Sequence, residues 1–453
     1  MKTMFAKNYH MVVANFRFLH KEIWLYAIFV ISTFLAKYIF LKQHLIQSTF
    51  MTPDSDDYLE ISKNLPQIYI SKSESDLKLT LLRLPGYPLF LSIFRNTQML
   101  ISAQIVLGIL MGIISILILK NILKNYHPKI GLLAYLLIQV ETSLFVYSYR
   151  IMSEMLFSFT LLGIVFLIAF KRQRLTLMPT ILLAICFLFT LYMTRPVAIT
   201  MTMVFLIMVF LSKEKKKFIA LAMISISILG FYSIFNYSKS GVLTYTTLQN
   251  NNILFYEGVG ALDASSSKKL LSLKQQEATS KSFLDLFGKE DERRQNILGN
   301  APTIKSVDDY NLSRGLDLIL DNKVGFFKLH FVGAIKVLFG PNRSEIFQII
   351  TDDNRIEIGN TAKYFILAIF FIVNSLIVSF GLIGSFKYFF LNNFTKVSCL
   401  IIITLTGISS SALAYGRFRT PIAPFLIIFA CVFLSDSSQN FSPRHIFKSL
   451  IRR

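Results

Sequence analysis

Runs of roughly 17–25 apolar residues, long enough to cross a hydrocarbon core of about 30 Å, recur along the whole chain. They lie near Trp24–Phe40, Met99–Leu119, Ile130–Tyr149, Met155–Phe170, Leu177–Tyr192, Val197–Leu211, Phe218–Phe235, Tyr364–Phe386, Val397–Ala414 and Pro421–Leu434. About ten membrane-spanning helices are expected. Composition agrees: of 453 residues, 53% are hydrophobic, 43 are Phe and only 16% are charged, with a mean hydropathy of +0.54. A soluble chain of that composition would aggregate, so the predicted fold class is an all-α polytopic membrane protein. The first span starts late, carries Lys37 and is followed by no small-residue cleavage site, so it reads as a retained helix and not a signal peptide.

The net charge of +21 would suggest nucleic acid in a soluble protein. Here the basic residues fall in every second loop. Lys2, Lys7, Arg17 and Lys21 precede the first span; Lys120, Lys124 and Lys129 follow the second; Lys171, Arg172 and Arg174 follow the fourth; Lys213, Lys215, Lys216 and Lys217 follow the sixth. Lys387 and Lys396 follow the eighth, and Arg444, Lys448, Arg452 and Arg453 end the chain. That alternation is the positive-inside pattern with both termini cytoplasmic, and an odd number of spans would put the basic tail on the wrong side. The other face then receives the Asp54–Pro88 loop, the turn Tyr149–Glu154, Arg195-Pro196, the stretch from Asn236 to Thr361, and Tyr415–Arg419. Chemistry on that face has no nucleotide-sugar or ATP at hand and needs a substrate delivered through the membrane.

Several site types are not written in the chain. The three cysteines, Cys186, Cys399 and Cys431, all fall in apolar spans, where they act as small hydrophobes, and no disulfide is expected. The six histidines are scattered without zinc-ligand spacing. There is no phosphate-binding Gly-rich loop ending in Lys-Ser/Thr, no Gly-x-Ser-x-Gly and no internal repeat.

The polar stretch between the first two spans opens with Pro53-Asp54-Ser55-Asp56-Asp57-Tyr58 and closes with Arg83-Leu84-Pro85-Gly86-Tyr87-Pro88. Carboxylates at a bilayer mouth are costly unless they bind something. The bland account of the acidic run is a solvated turn in which Asp54 caps a helix, and of Glu154 a first-turn carboxylate complementing a helix dipole. Snorkelling explains Arg150 and Arg195 as well as function does. Arg83 differs, because Pro-Gly-Tyr-Pro fixes the backbone behind it and a planar fork suits a phosphate. Arg417 and Arg419 flank Phe418, and two like charges so close are best explained by a shared anion. Trp24 reads as an inner-face anchor, and Tyr58 and Tyr87 as interfacial residues or sugar contacts.

Taken in order, Asp54 with Tyr58, Arg83-Leu84-Pro85-Gly86-Tyr87-Pro88, Ala103-Gln104, Ser153-Glu154 and Arg195-Pro196 are similar to the GT-C superfamily of membrane glycosyltransferases. More narrowly, they look like the bacterial relatives of the dolichyl-phosphate-mannose protein mannosyltransferases. The matching order covers roughly residues 20–212, and Phe339-Gly340-Pro341 and Arg417-Phe418-Arg419-Thr420-Pro421 fit more loosely. The resemblance implies a GT-C-like bundle and a polyprenyl-phosphate-linked sugar as donor. It also implies inversion at the anomeric carbon and a glycan, glycolipid or protein acceptor at the outer face of the cytoplasmic membrane. Such a reaction needs a carboxylate to take a proton and cations to stabilise the phosphate. The residues carried over are Asp54 as base with Asp57 (or Asp56) as fallback, and Glu154 as second carboxylate. Arg83, Arg417, Arg419 and Arg195 are assigned to the donor phosphate, and Tyr58, Tyr87 and Arg150 to substrate. No cofactor is certain; a divalent metal, where relatives use one, would fall to Asp54 and Glu154.

The expected organisation is a catalytic membrane module over 1–235 with its first outer loop at 41–98, an outer region over 236–361, and C-terminal helices with a basic tail over 362–453. In the outer region, Ser240–Tyr256 has strand-like signals, Asp263–Asp291 is polar, and Tyr310–Leu320 reads as a short amphipathic helix. The stripe near 326–339 is broken by Lys328 and Lys336 and is expected to lie in the interface plane. A polysaccharide polymerase or ligase using a lipid-linked oligosaccharide would share the span count and paired arginines, though the order from Asp54 to Pro88 argues against it. A transporter of lipid-linked sugars would place charges mid-helix, and here the span centres are nearly uncharged.

Overall fold

The apolar segments read as spans are helical over most of their described length in the computed structural model, which describes residues 24, 26–42, 50–71, 73–123, 125–169, 177–266, 281–299, 302–351 and 359–440. Lys2, Lys7, Arg17, Lys21, Lys124, Lys171, Arg172, Arg174, Arg444, Lys448, Arg452 and Arg453, which set the expected orientation, lie outside the described residues, as does 267–280. The first helix, α1, covers 26–42. After it come α2 (Ser55–Lys63), α3 (Gln67–Ile70), α4 (Glu74–Leu82), α5 (Gly86–Ser92), α6 (Thr97–Ile122), α7 (Pro128–Val140), α8 (Thr142–Tyr147), α9 (Glu154–Ala169), α10 (Leu177–Thr194), α11 (Ile199–Leu211) and α12 (Lys215–Ser240). Then follow α13 (Leu248–Asn252), a π-helical turn (Ile253–Gly258), α14 (Val259–Ser266), α15 (Lys281–Leu298), α16 (Ile304–Asp321), α17 (Lys323–Phe339) and α18 (Arg343–Thr351). Last are α19 (Asn360–Tyr388), α20 (Asn393–Ile408), a 3-10 turn (Gly416–Arg419) and α21 (Ala423–Asn440). Among the described residues no strand is found.

Among the described residues, three helices are long and apolar enough to cross a bilayer on those grounds alone: α6, α12 and the stretch Thr361–Tyr388 of α19. Shorter apolar helices pack between them. α9 and α21 are the centre, buried on nearly every side from Met155 to Ile168 and from Ile422 to Val432. The outer faces of α12 and α19 leave Phe231, Ile234, Phe365 and Ile372 uncovered, as lipid-facing helices do. Lipid offers no hydrophobic drive for one helix to leave it for another, so close approach at small residues carries the packing. On α19 a Cβ at Gly381 would fall 2.6 Å from the Leu426 carbonyl oxygen, and one at Gly384 2.5 Å from that of Phe429. An alanine at either position would push α19 off α21.

Three expectations are corrected. The stretch Val397–Ala414 is helical only as far as Ile408, and 409–414 form an irregular link. The stretch Ile130–Tyr149 is not one span, because the chain leaves helical geometry at Glu141, with ψ at 131°. Its carboxylate turns forward to cap α8, accepting from Ser143 Oγ at 2.6 Å and from Leu144 N at 2.9 Å. The strand-like signals of Ser240–Tyr256 become an irregular link and two helical turns. There the Asn236 side-chain amide donates to the carbonyls of Thr244 and Tyr245, taking the place of a ladder. The outer region has its own small core of Leu254, Phe255, Val259, Phe283 and Leu318. The stripe near 326–339 is α17. Lys328 donates to the Ala264 carbonyl at 3.0 Å and so caps the end of α14.

Candidate active site

Asp54 immediately precedes α2, but its side chain caps nothing. It points to two guanidiniums: Arg83 Nη2 donates to Oδ1 at 2.7 Å and Arg417 Nη2 to Oδ2 at 3.0 Å. Arg83 also holds Asp57, through Nε at 2.9 Å. Glu154 opens α9 and is fully buried; Arg417 Nε donates to its Oε1, and Arg195 Nη1 forms an ion pair with the same oxygen at 2.8 Å. Three carboxylates and three arginines thus form one charge-balanced cluster. Glu154 Oε2 is buried with no hydrogen-bond partner among the described residues. Asp56 is exposed on the far side of α2.

The local sequence explains the convergence. Ser55 Oγ donates to the Ile151 carbonyl at 2.9 Å, and Ile151 N to that of Phe50 at 2.9 Å, which stitches the first loop to the turn before Glu154. The Pro-Gly-Tyr-Pro bracket docks on the end of α10, where a Cβ at Gly86 would lie 2.6 Å from the Met193 carbonyl oxygen; only glycine lets the backbones meet there. That contact joins the loop carrying Arg83 to the helix that ends just before Arg195. The Tyr58 ring lies under the Arg83 guanidinium at 5.2 Å and stands edge-on to Tyr87, with centroids 5.0 Å apart. Tyr87 is fully buried and donates to Gln104 Oε1 at 3.0 Å, and Gln104 Nε2 donates to the Arg150 carbonyl at 2.7 Å. The two tyrosines therefore hold Arg83 and the loop.

Two expected ligands of the phosphate or substrate sit elsewhere. Arg419 is wholly buried. Its Nε donates to Glu141 Oε1 at 2.8 Å, its Nη2 to Thr142 Oγ1 at 2.8 Å, and its Nη1 to the carbonyls of Val337, Leu338 and Gly340 at the end of α17. Arg150 donates to the Met51 carbonyl at 2.9 Å and to Gln348 Oε1 at 2.5 Å and is almost fully buried. Both arginines clamp backbone. Glu141 was absent from the expected site, although an acid inside an apolar stretch was a signal that it must be paired. With Lys37, whose Nζ donates to Gln139 Oε1 at 3.1 Å, it shows that stretches read as spans do hold ionisable groups.

Burial pushes the Asp54 carboxyl up, and the charges of Arg417 and Arg83 more than reverse that, holding it below the ordinary aspartate range. The group is an anion at neutral pH. A guanidinium on each of its oxygens gives two forks that a phosphate could take over.

No protein-family profile and no curated protein matches the sequence. Among solved structures, the apo oligosaccharyltransferase of Archaeoglobus fulgidus aligns over 93% of this chain and 51% of its own, with a TM-score of 0.45 and 12% identity. This chain therefore spans about half the length of that protein. ArnT from Cupriavidus metallidurans, also apo, aligns over 93% of this chain and 79% of its own, with a TM-score of 0.34 and 10% identity. At these scores the likeness assigns no residue, and the site rests on the geometry above.

Proposed function

We propose that the chain is an integral-membrane glycosyltransferase that moves a sugar from a polyprenyl-phosphate donor to a glycan, glycolipid or protein acceptor, inverting the anomeric carbon. The reaction is placed on the outer face of the cytoplasmic membrane, with both chain termini inside. The observation that carries this reading is Asp54 held between Arg83 and Arg417 beside the buried Glu154. An acceptor hydroxyl or amine attacks C1 and forms the new bond, while the bond from C1 to the phosphate oxygen breaks and leaves its electron pair on the phosphate. Asp54 takes the acceptor's proton. Arg83 and Arg417 turn their donors to the leaving phosphate, and as they do so Asp54 loses the contacts that depress its basicity. Arg195 and Glu154 hold Arg417 in place for that exchange.

The arginines are assigned the phosphate, because both oxygens of Asp54 and Oε1 of Glu154 already accept from guanidiniums or pair with them. A divalent cation, were one bound, would be held by Asp54 and by Glu154, whose Oε2 is buried with no hydrogen-bond partner among the described residues.

The test is donor consumption by the full chain in lipid nanodiscs, offered single sugars on a polyprenyl monophosphate and, separately, a preassembled oligosaccharide on a lipid diphosphate. Turnover of the first class, lost in Asp54→Asn, is the expected result. Turnover of the second class alone would replace the reading with a polymerase or ligase.

A further inference from the structure

Arg417 is delivered to the site by residues 409–415, a link without regular secondary structure between α20 and the 3-10 turn. Something outside the link must set its aim, and α17 and the π-helical turn do so at three points. At its start, a Cβ on Gly333 of α17 would lie 2.2 Å from the Ser410 carbonyl oxygen, so helix and link are in backbone contact. In its middle, Ala412 N donates to the Tyr256 carbonyl at 3.3 Å. At its end, a Cβ on Gly416 would lie 2.6 Å from the Gly340 carbonyl oxygen, just past α17.

His330, nearly one turn before Gly333, joins these contacts. Its Nε2 lies 2.8 Å from Glu257 Oε2, and its Nδ1 lies 2.8 Å from Ser410 Oγ and 3.1 Å from the Gly407 carbonyl oxygen. Glu257 is the neighbour of Tyr256 on the π-helical turn, a rare geometry that recurs at functional sites. One turn of backbone therefore holds the link directly through Tyr256 and, through Glu257 and His330, holds the residue where the link begins.

We propose that His330 and Glu257 are positioning residues for Arg417, the imidazole tying the π-helical turn to the start of the link so that the guanidinium is set between Asp54 and Glu154. Neither side chain is assigned contact with the reacting atoms. A ring with one nitrogen on a carboxylate and the other among a carbonyl and a hydroxyl has its plane and tilt fixed on both sides, which a glutamine replacing it would not reproduce.

This inference rests on the proposed reaction for its kinetic test and on the fold alone for a second one. In the full chain in nanodiscs, His330→Gln should lower donor kcat/KM by about tenfold, since small misplacements of a binding group carry large rate losses. The same change made on top of Arg417→Lys should cost little more, because the two act through one guanidinium. Independently of activity, amide hydrogen exchange over 409–418 should quicken several-fold in His330→Gln and in Glu257→Gln, while protection of α9 stays as it was. Additive losses in the cycle, or unchanged exchange over 409–418, overturn the proposal. A wild-type chain inert towards every lipid-phosphate sugar would sink the reaction instead, and exchange would still decide the positioning.

Discussion

Asp54 meets guanidiniums that lie 29 and 363 positions away in the chain. Replacing it with Asn keeps the shape and removes the proton acceptor, so turnover should fall by roughly a hundredfold or more while donor binding survives. Normal turnover in both Asp54→Asn and Asp57→Asn would take the loop out of the mechanism. The carboxyl is held low in the fold by Arg417 and Arg83. Its stabilising contribution is therefore present above the unfolded value of about 3.9 and is lost as pH falls through the lower folded one. Melting curves between pH 5 and pH 3 should show the wild type losing more of its midpoint than Asp54→Asn; parallel losses would mean the arginines do not hold the charge. Arg83→Lys should lower kcat/KM by roughly 10–100-fold, the loss of one charge-assisted hydrogen bond of about 1.5–3 kcal/mol. Arg150→Lys should affect thermal midpoint more than kcat/KM, since its donors go to Met51 and Gln348. Arg83 was legible because a rigid bracket followed it. Arg417 and Arg419 were not separable, because on a tight 3-10 turn residues two apart point to different sides, one to Glu154 and the other to Glu141.

At the scale of elements, the pair Glu141–Arg419 joins the break between α7 and α8, the end of α17 and the 3-10 turn that carries Arg417. Removing one partner leaves a buried charge uncompensated. Arg419→Met should therefore destabilise the protein by about 3–5 kcal/mol, read as a lower thermal midpoint in detergent, and Arg419→Lys should rescue little of it, having no fork for the three carbonyls. A midpoint within a degree or two of the wild type would mean that α17 is held by packing alone. Apolar helices were legible because hydropathy is a local property and needs only a window of neighbours. The break at Glu141 was missed because one acid in a mostly apolar stretch of twenty residues, 130–149, changes the average little. What ends the helix there is a cap on Ser143 and Leu144 and a cation from another part of the chain.

For the whole molecule, the alternation of basic loops predicts that reporter fusions after Arg174 and after Lys217 read cytoplasmic and that a fusion within Ser71–Ser75 reads external. An external reading near Arg444 would break the alternation and move Arg417 to the wrong face. Which stretches are apolar was determined by the sequence by itself, because burying a peptide in lipid is decided residue by residue, whereas the break at Glu141 and the end of α20 at Ile408 were not. The clustering of Asp54, Arg83, Glu154, Arg195 and Arg417 could be expected only as residues sharing a face. Which charge pairs with which was decided by tertiary structure alone. Arg417 reaches Glu154 and Arg419 reaches Glu141 across 263 and 278 positions. Partner choice over such separations follows from how α9, α17 and the 3-10 turn pack together, and Coulomb attraction by itself does not distinguish one buried carboxylate from another a few ångströms away.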